Sequence, residues 1–305
     1  MRKVFMFPGQ GSQRRGMGRE LFGEYRSLVA QASEQLGYDV AELCTEDAHG
    51  ELGQTRFTQP ALYVVSCLSY LHRIDTGESA PDVVAGHSLG EYAALFAAGA
   101  FDFATGLSIV AKRAMLMGEA LDGAMAAVQG IEELRVREIL DSYNDEISDN
   151  ARLQGAVSSA PGPVVEIANL NHRLQCVISG AREHVTGPSL AQRFDDAGAS
   201  FIALDVSGAF HSARMKTLAT RFADFLSNIA LAPLKMPVVS NWTSRVYPGG
   251  DYRPAMVNQM FSPVRWYESI SRLLTRDYRE FHEVGPGDVL SRLQRHIEKA
   301  PFHCT

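Results

Sequence analysis

Apolar and polar positions alternate in short blocks along this chain, and each block predicts an element. Lys3 to Phe7 reads as a short buried strand that stops at Pro8-Gly9. Gln10 to Met17 is a Gly/Ser/Gln loop, and a helix holding Leu21, Tyr25 and Leu28 follows. Gln59-Pro60 opens a long apolar helix through Leu71; Pro81 to Gly86 forms a strand ending in a sharp turn, and Leu89 to Ala98 an Ala-rich helix. Strands alternating with helices predict a parallel sheet covered on both faces.

The texture changes after Gly123. Met125–Val128, Val164–Asn169, Gln175–Ser179 and Phe201–Val206 have strand character, while Glu132–Tyr143 and Glu183–Ala197 have helical character. Strand-helix-strand-strand-helix-strand is the ferredoxin-like pattern. The fold class is therefore α/β: a large core, residues 1–123 and 206–305, carrying an inserted α+β subdomain at 124–205. Asp145 to Pro163 is polar and rich in small residues, which predicts a mobile surface loop. Beyond the insert, Met236 to Ser240 reads as another buried strand of the core.

Composition narrows the function without naming it. The chain has 305 residues, 46% of them apolar and 21% charged, which excludes disordered, collagenous and coiled-coil classes. Its formal net charge is -6, and only five of its 29 basic residues are lysines, so no nucleic acid is expected as a partner. Cys44, Cys67, Cys176 and Cys304 are far apart, with no CxxC pair and no histidine at zinc-ligand spacing, so free thiols and no metal are expected. The apolar run after Arg2-Lys3 is too short for a signal peptide, and the longest one, Tyr92 to Phe101, is too short for a membrane helix. A soluble, cytoplasmic monomer is the expectation.

Chemistry first appears at Gly86-His87-Ser88-Leu89-Gly90, a G-x-S-x-G pattern between a β run (Val83 to Ala85) and a helix former run. That context sets a serine on a tight strand-to-helix turn with its hydroxyl exposed at the carboxyl edge of the sheet. A serine nucleophile needs a base, and nine histidines are available. His87 points away on the turn; His49, His72, His172 and His184 sit in polar or helical settings. His211 stands out in a small-residue turn, Val206-Ser207-Gly208-Ala209-Phe210-His211-Ser212, while His282, His296 and His303 compete because α/β-hydrolases carry their histidine near the C-terminus.

Phe7-Pro8-Gly9-Gln10-Gly11-Ser12-Gln13, Gly86 to Glu91 and Gly208 to Ser212 together resemble the malonyl-CoA:acyl carrier protein transacylases, the family that also supplies acyltransferase domains to polyketide synthases. Thr58-Gln59-Pro60-Ala61-Leu62, Lys112-Arg113, Asn169-Leu170-Asn171 and Glu283-Val284-Gly285-Pro286-Gly287 match in the same order, over nearly the whole chain. The resemblance implies an α/β-hydrolase-like core with a ferredoxin-like insert. It implies Ser88 as nucleophile and His211 as base, the latter oriented by a backbone carbonyl from Ser262-Pro263-Val264-Arg265-Trp266. The backbone N–H groups of Gln10 and Leu89 would form the oxyanion hole, and Arg113 would hold the malonyl carboxylate, with Gln59, Asn169 and Phe210 lining the pocket. Leu89 and Phe210 resemble the malonyl-selective rather than the methylmalonyl-selective pattern.

The implied reaction moves malonyl from malonyl-CoA to the phosphopantetheine thiol of an acyl carrier protein through an acyl-serine, without a cofactor. Carriers are acidic, so an acidic enzyme needs local cations; Arg14 and Arg15 beside the oxyanion segment are the expected contacts, with Arg292, Arg295, His296 and Lys299 on one face of the last helix as the other candidates. The wording of 57–65 and 262–266 leans towards free-standing acyltransferases serving polyketide synthases. A fatty-acid transacylase, a hydrolase clearing acyl groups from carriers, a lipase-like esterase and an idle docking protein are the alternatives.

Overall fold

The computed structural model describes residues 1–153 and 163–302. Two four-stranded sheets organise it. The first is wholly parallel: β1 (Arg2–Phe7), β2 (Val83–Gly86), then, beyond the second sheet in the chain, β7 (Val238–Val239) and β8 (Tyr278–Glu283), in the spatial order β7-β2-β1-β8. Helices Thr55–Asp75, Gly90–Ala97 and Phe103–Gly118 bury one face, with Phe5, Phe7, Leu62, Leu95 and Leu107 in one cluster. Helices Trp266–Thr275 and Val289–Lys299 bury the other, where Val4, Met6, Val83 and Ala85 meet Trp266, Ile270 and Ile297. Both faces are covered, so β1 and β2 can be apolar without alternation.

The second sheet is antiparallel: β3 (Gly123–Gln129), β4 (Val165–His172), β5 (Gln175–Ala181) and β6 (Ser200–Ala203), in the order β4-β5-β3-β6. Helices Glu133–Leu153 and Pro188–Asp196 cover it, with Val136, Leu140, Leu190 and Phe194 against Val128, Ile167 and Ile178. This is the strand order of a ferredoxin-like α+β unit. Its edge strand β4 is hooked to the large body: Leu170 donates to the Val264 carbonyl at 2.9 Å, and Val264 to that of Ala168 at 2.8 Å.

Several sequence expectations need correction. The long helix opens at Thr55, not Gln59, and runs to Asp75 with Pro60 inside it. The turn ahead of Pro60 packs Phe57, Thr58 and Gln59 into the core, and that packing offsets the hydrogen bond Pro60 cannot make. The helix expected through Leu21, Tyr25 and Leu28 is two, Arg19–Phe22 and Arg26–Leu36, with Tyr25 between them. The one expected at Glu183–Ala197 breaks into Arg182–Val185 and Pro188–Asp196, because Pro188 disfavours helical geometry at Gly187. Most of the expected loop after Asp145 is not loop where described: helix Glu133–Leu153 continues through it, and 154–162 lie outside the described residues. β6 stops at Ala203, short of Val206.

Candidate active site

The register of the parallel sheet assembles the site. Phe7 on β1 pairs with Gly86 on β2, so Pro8-Gly9-Gln10 and His87-Ser88-Leu89 leave neighbouring strands side by side at their carboxyl ends. On the far side of β2, Ala85 pairs with Val239 of β7, which brings in Asn241. The glycines of the motif are dictated by closeness of backbone: a Cβ on Gly86 would stand 2.0 Å from the Gly90 carbonyl carbon, and one on Gly90 2.0 Å from the Phe7 oxygen. Ser88 takes φ 51°, the left-handed region, at a cost of order 1 kcal/mol that packing must offset.

Ser88, Leu89, Gln10, Gln59, Arg113, Asn169, Phe210 and His211 line a single cavity of about 90 Å³, so the expected site residues converge. Ser88 Oγ lies 2.7 Å from His211 Nε2. His211, at φ 58°, aims its Nδ1 at the Gln259 carbonyl oxygen, 2.8 Å away. A carbonyl only accepts, so the proton sits on Nδ1 and Nε2 is left to accept from the serine. The orienting carbonyl is thus Gln259, with Ser262 a lesser contributor, rather than one drawn generally from 262–266. The Arg265 carbonyl instead accepts from Ser269 in the first turn of the helix Trp266–Thr275.

Burial, then the charge of Arg113, pushes His211 down to about 3. It therefore rests neutral, as a base must. The backbone N–H groups of Gln10 and Leu89 donate to no other described residue, leaving both available to a third partner. His87 does not address Ser88; its Nε2 is 2.9 Å from Asn171 Oδ1. His282 packs on Phe5, and His296 stacks on His172 at 4.8 Å, so neither serves the serine. His303 lies outside the described residues.

Arg113 is wholly buried. Its Nη1 donates to Gln59 Oε1 at 2.6 Å, and its Nη2 to Gln259 Oε1 at 3.1 Å and to Ser88 Oγ at 3.2 Å. Its Nε has no partner, and no carboxylate forms an ion pair with it among the described residues. Burial lowers its affinity for the proton, the opposite of what a structural ion pair does. A guanidinium buried in this way is left without a counter-charge, and an anion entering the cavity can pair with it.

Two residues of the site, Gln259 and Asn241, carry no signal in the sequence, and a third, Glu91, stands there only as the last residue of the elbow motif. Gln259 alone touches His211 through its carbonyl, Arg113 through Oε1, and the Ser88 carbonyl at 2.7 Å and Glu91 at 3.4 Å through Nε2. Asn241 binds the elbow, and Glu91, buried behind it, accepts from the Asn241 backbone N–H at 3.0 Å and from the Tyr247 hydroxyl. Burial raises Glu91 to about 7, Tyr247 and the other donors pulling it down only in part.

The acyl transferase domain family matches residues 4–300. The polyketide biosynthesis malonyl CoA-acyl carrier protein transacylase BaeC of Bacillus velezensis is 43% identical over 296 residues, 97% of this chain and 96% of that protein. The polyketide biosynthesis protein ThaF of Burkholderia thailandensis is 45% identical over 295 residues, and there the chain spans only 24% of the relative's length. The crystal structure of a malonyl CoA-acyl carrier protein transacylase from Burkholderia pseudomallei superposes with a TM-score of 0.90 at 42% identity, covering 99% of this chain and 100% of that one. An elbow serine, a carbonyl-oriented histidine and a buried arginine in that frame place the chain in the acyl transferase domain family, among the malonyl-CoA:acyl carrier protein transacylases.

Proposed function

We propose that the protein transfers a malonyl group from malonyl-CoA to the phosphopantetheine thiol of an acyl carrier protein, in the service of polyketide synthesis. Arg113 carries this reading: a fully buried guanidinium, without a carboxylate partner among the described residues, 3.2 Å from the nucleophile's oxygen. A carboxylated acyl group supplies the missing anion; an acetyl group or a long alkyl chain leaves the cation unpaired, at a cost of several kcal/mol.

In the first half-reaction, Ser88 Oγ gives its proton to His211 Nε2 and attacks the thioester carbonyl. The N–H groups of Gln10 and Leu89 stabilise the tetrahedral oxyanion. The intermediate collapses, the C–S bond breaks, and the departing CoA sulfur takes the proton from His211. In the second, the carrier thiol gives its proton to His211, attacks the acyl-serine, and Ser88 recovers the proton as it leaves. Every proton is accounted for by His211, and the scheme requires no cofactor or metal. Gln59, Asn169 and Phe210 bound the acyl group, and a cavity of about 90 Å³ suits a short one.

Support for the polyketide pathway over fatty-acid synthesis comes from relatives named for polyketide biosynthesis at 43% and 45% identity, against 35% for the Escherichia coli malonyl CoA-acyl carrier protein transacylase. Arg14, exposed beside Gln10, is offered as a carrier contact; Arg15 joins it while sharing Glu46 at 3.5 Å with Arg19. The cytoplasm, which holds CoA thioesters, is the proposed compartment, and no helix among the described residues is long and apolar enough to cross a membrane. Intact mass after mixing with malonyl-CoA tests the reading: a malonyl adduct is expected, absent in Ser88→Ala. Retention of the adduct in that variant, or a preference for acetyl-CoA or methylmalonyl-CoA, overturns it.

A further inference from the structure

Outside the acyl cavity the structure holds a second, larger groove of about 520 Å³. Val206 lines both spaces, and Gln10 on the inner one donates to Thr55 on the outer one at 3.2 Å. The groove therefore begins where the acyl cavity ends. Two arginines line it, Arg56 near the start of the helix Thr55–Asp75 and Arg182 at the start of Arg182–Val185.

Both are exposed, and neither makes an ion pair with a described residue, although most other arginines on this surface do. Arg56 lies over the Phe57 ring at 4.3 Å, which orients the guanidinium without neutralising it. Arg182 spends Nη2 on the carbonyls of Leu121 and Ser207, at 3.4 and 3.2 Å, and keeps its other N–H groups. Asp205 also lines the groove, yet neither arginine bonds to it. Two positive charges are thus presented to whatever continues outward from the thioester.

Within the thioester-transfer reading, the substrate's sulfur sits at Ser88 and an uncharged pantetheine arm runs outward to a phosphate ester. The amides of the arm can accept a hydrogen bond but bring no charge to offset two cations; a phosphate accepts the fork of N–H groups in a charge-assisted pair. We propose that Arg56 and Arg182 form a subsite for the 4′-phosphate of the pantetheine arm, the group that CoA and a loaded carrier share.

The test compares malonyl-CoA, malonyl-4′-phosphopantetheine and malonyl-pantetheine as donors for the wild-type chain and for Arg56→Ala/Arg182→Ala. Expected is a rise of about tenfold in KM for the two phosphorylated donors, with kcat and the KM for malonyl-pantetheine within about twofold. The wild-type preference for phosphorylated donors should shrink with added salt, and Arg56→Lys/Arg182→Lys should recover part of it. A penalty shared equally by malonyl-pantetheine, or seen with malonyl-CoA alone, overturns the assignment, the latter by pointing to the nucleotide's phosphates. Calorimetric binding of 4′-phosphopantetheine against pantetheine stands apart from turnover. Phosphate-dependent binding lost in the double variant upholds the subsite even if Ser88 never carries malonyl, and phosphate-independent binding refutes it.

Discussion

Asn241 grips both sides of the turn that carries Ser88. Its Oδ1 accepts the Ser88 backbone N–H at 2.7 Å, and its Nδ2 donates to the Gly86 carbonyl at 2.6 Å. One carboxamide thus satisfies a donor and an acceptor that the strained turn leaves without a backbone partner, and it holds the serine at its left-handed φ. It also occupies the Ser88 N–H, whereas the N–H groups of Leu89 and Gln10 have no described acceptor.

Replacing this side chain should hurt chemistry more than binding. Asn241→Ala is expected to slow acylation of Ser88 about a hundredfold, with the KM for malonyl-CoA within about threefold, because the serine is misplaced while Arg113 stays put. Burst kinetics on malonyl-CoA measure this. A raised KM with the acylation rate unchanged would contradict it.

Arg113→Ala should lower kcat/KM for malonyl-CoA about 10²–10³-fold while raising relative activity on acetyl-CoA, since the unpaired cation that penalised a neutral acyl group is gone. Arg113→Lys should not restore malonyl transfer. A single ammonium cannot reach Gln59, Gln259 and the substrate as the planar fork does. Competition between the two thioesters reads both outcomes.

With His211 held down to about 3, the acylation rate should show no fall centred on the ordinary imidazole value of 6.5. The profile is best taken in Glu91→Gln, which removes the carboxyl that titrates near neutrality. A midpoint near 6.5 there would mean that the base is not shielded as the structure has it.

Glu91 itself makes a stability prediction. Its ordinary value of 4.5 is raised to about 7 in the fold, so between those limits the folded state binds more protons than the unfolded chain. Stability due to this group therefore falls as pH rises through that window. Relative to wild type, Glu91→Gln should gain as pH goes from about 5 to 8, as measured by denaturant midpoints at each pH.

Gly90→Ala should cost about 3–5 kcal/mol or abolish folding, because the added methyl would stand 2.0 Å from the Phe7 backbone oxygen and β1 cannot move without its neighbours. Gly249→Ala, where nothing lies within 4 Å, is the control. Thermal unfolding compares them.

Much of this was legible in the sequence where the signal is local. The elbow is spelled out in five consecutive residues between a β run and a helix, and His211 lies in a turn of small residues. The residues missed are those whose work is purely long-range: Asn241 meets Ser88 across 153 positions and Gln259 across 171, each from a stretch with no pattern of its own. β8 escaped for another reason. Tyr278-Arg279-Glu280-Phe281-His282-Glu283 is an edge strand with partly exposed polar residues, so its composition does not resemble β1 or β2. Gly187-Pro188 marks the break, but it lies within a helical periodicity that by itself predicts one continuous helix.

The two hydrogen bonds between Val264 and β4 tie Asn169, one wall of the acyl cavity, to the segment just past Gln259. Ser88 and Arg113 belong to the parallel-sheet body, whereas Asn169 and Val177 come from the antiparallel one. The width of the cavity is therefore a distance between two separate sheets, metered at a seam. A change in acyl preference can then arise from a shift at that seam, with every residue that touches the substrate left as it is.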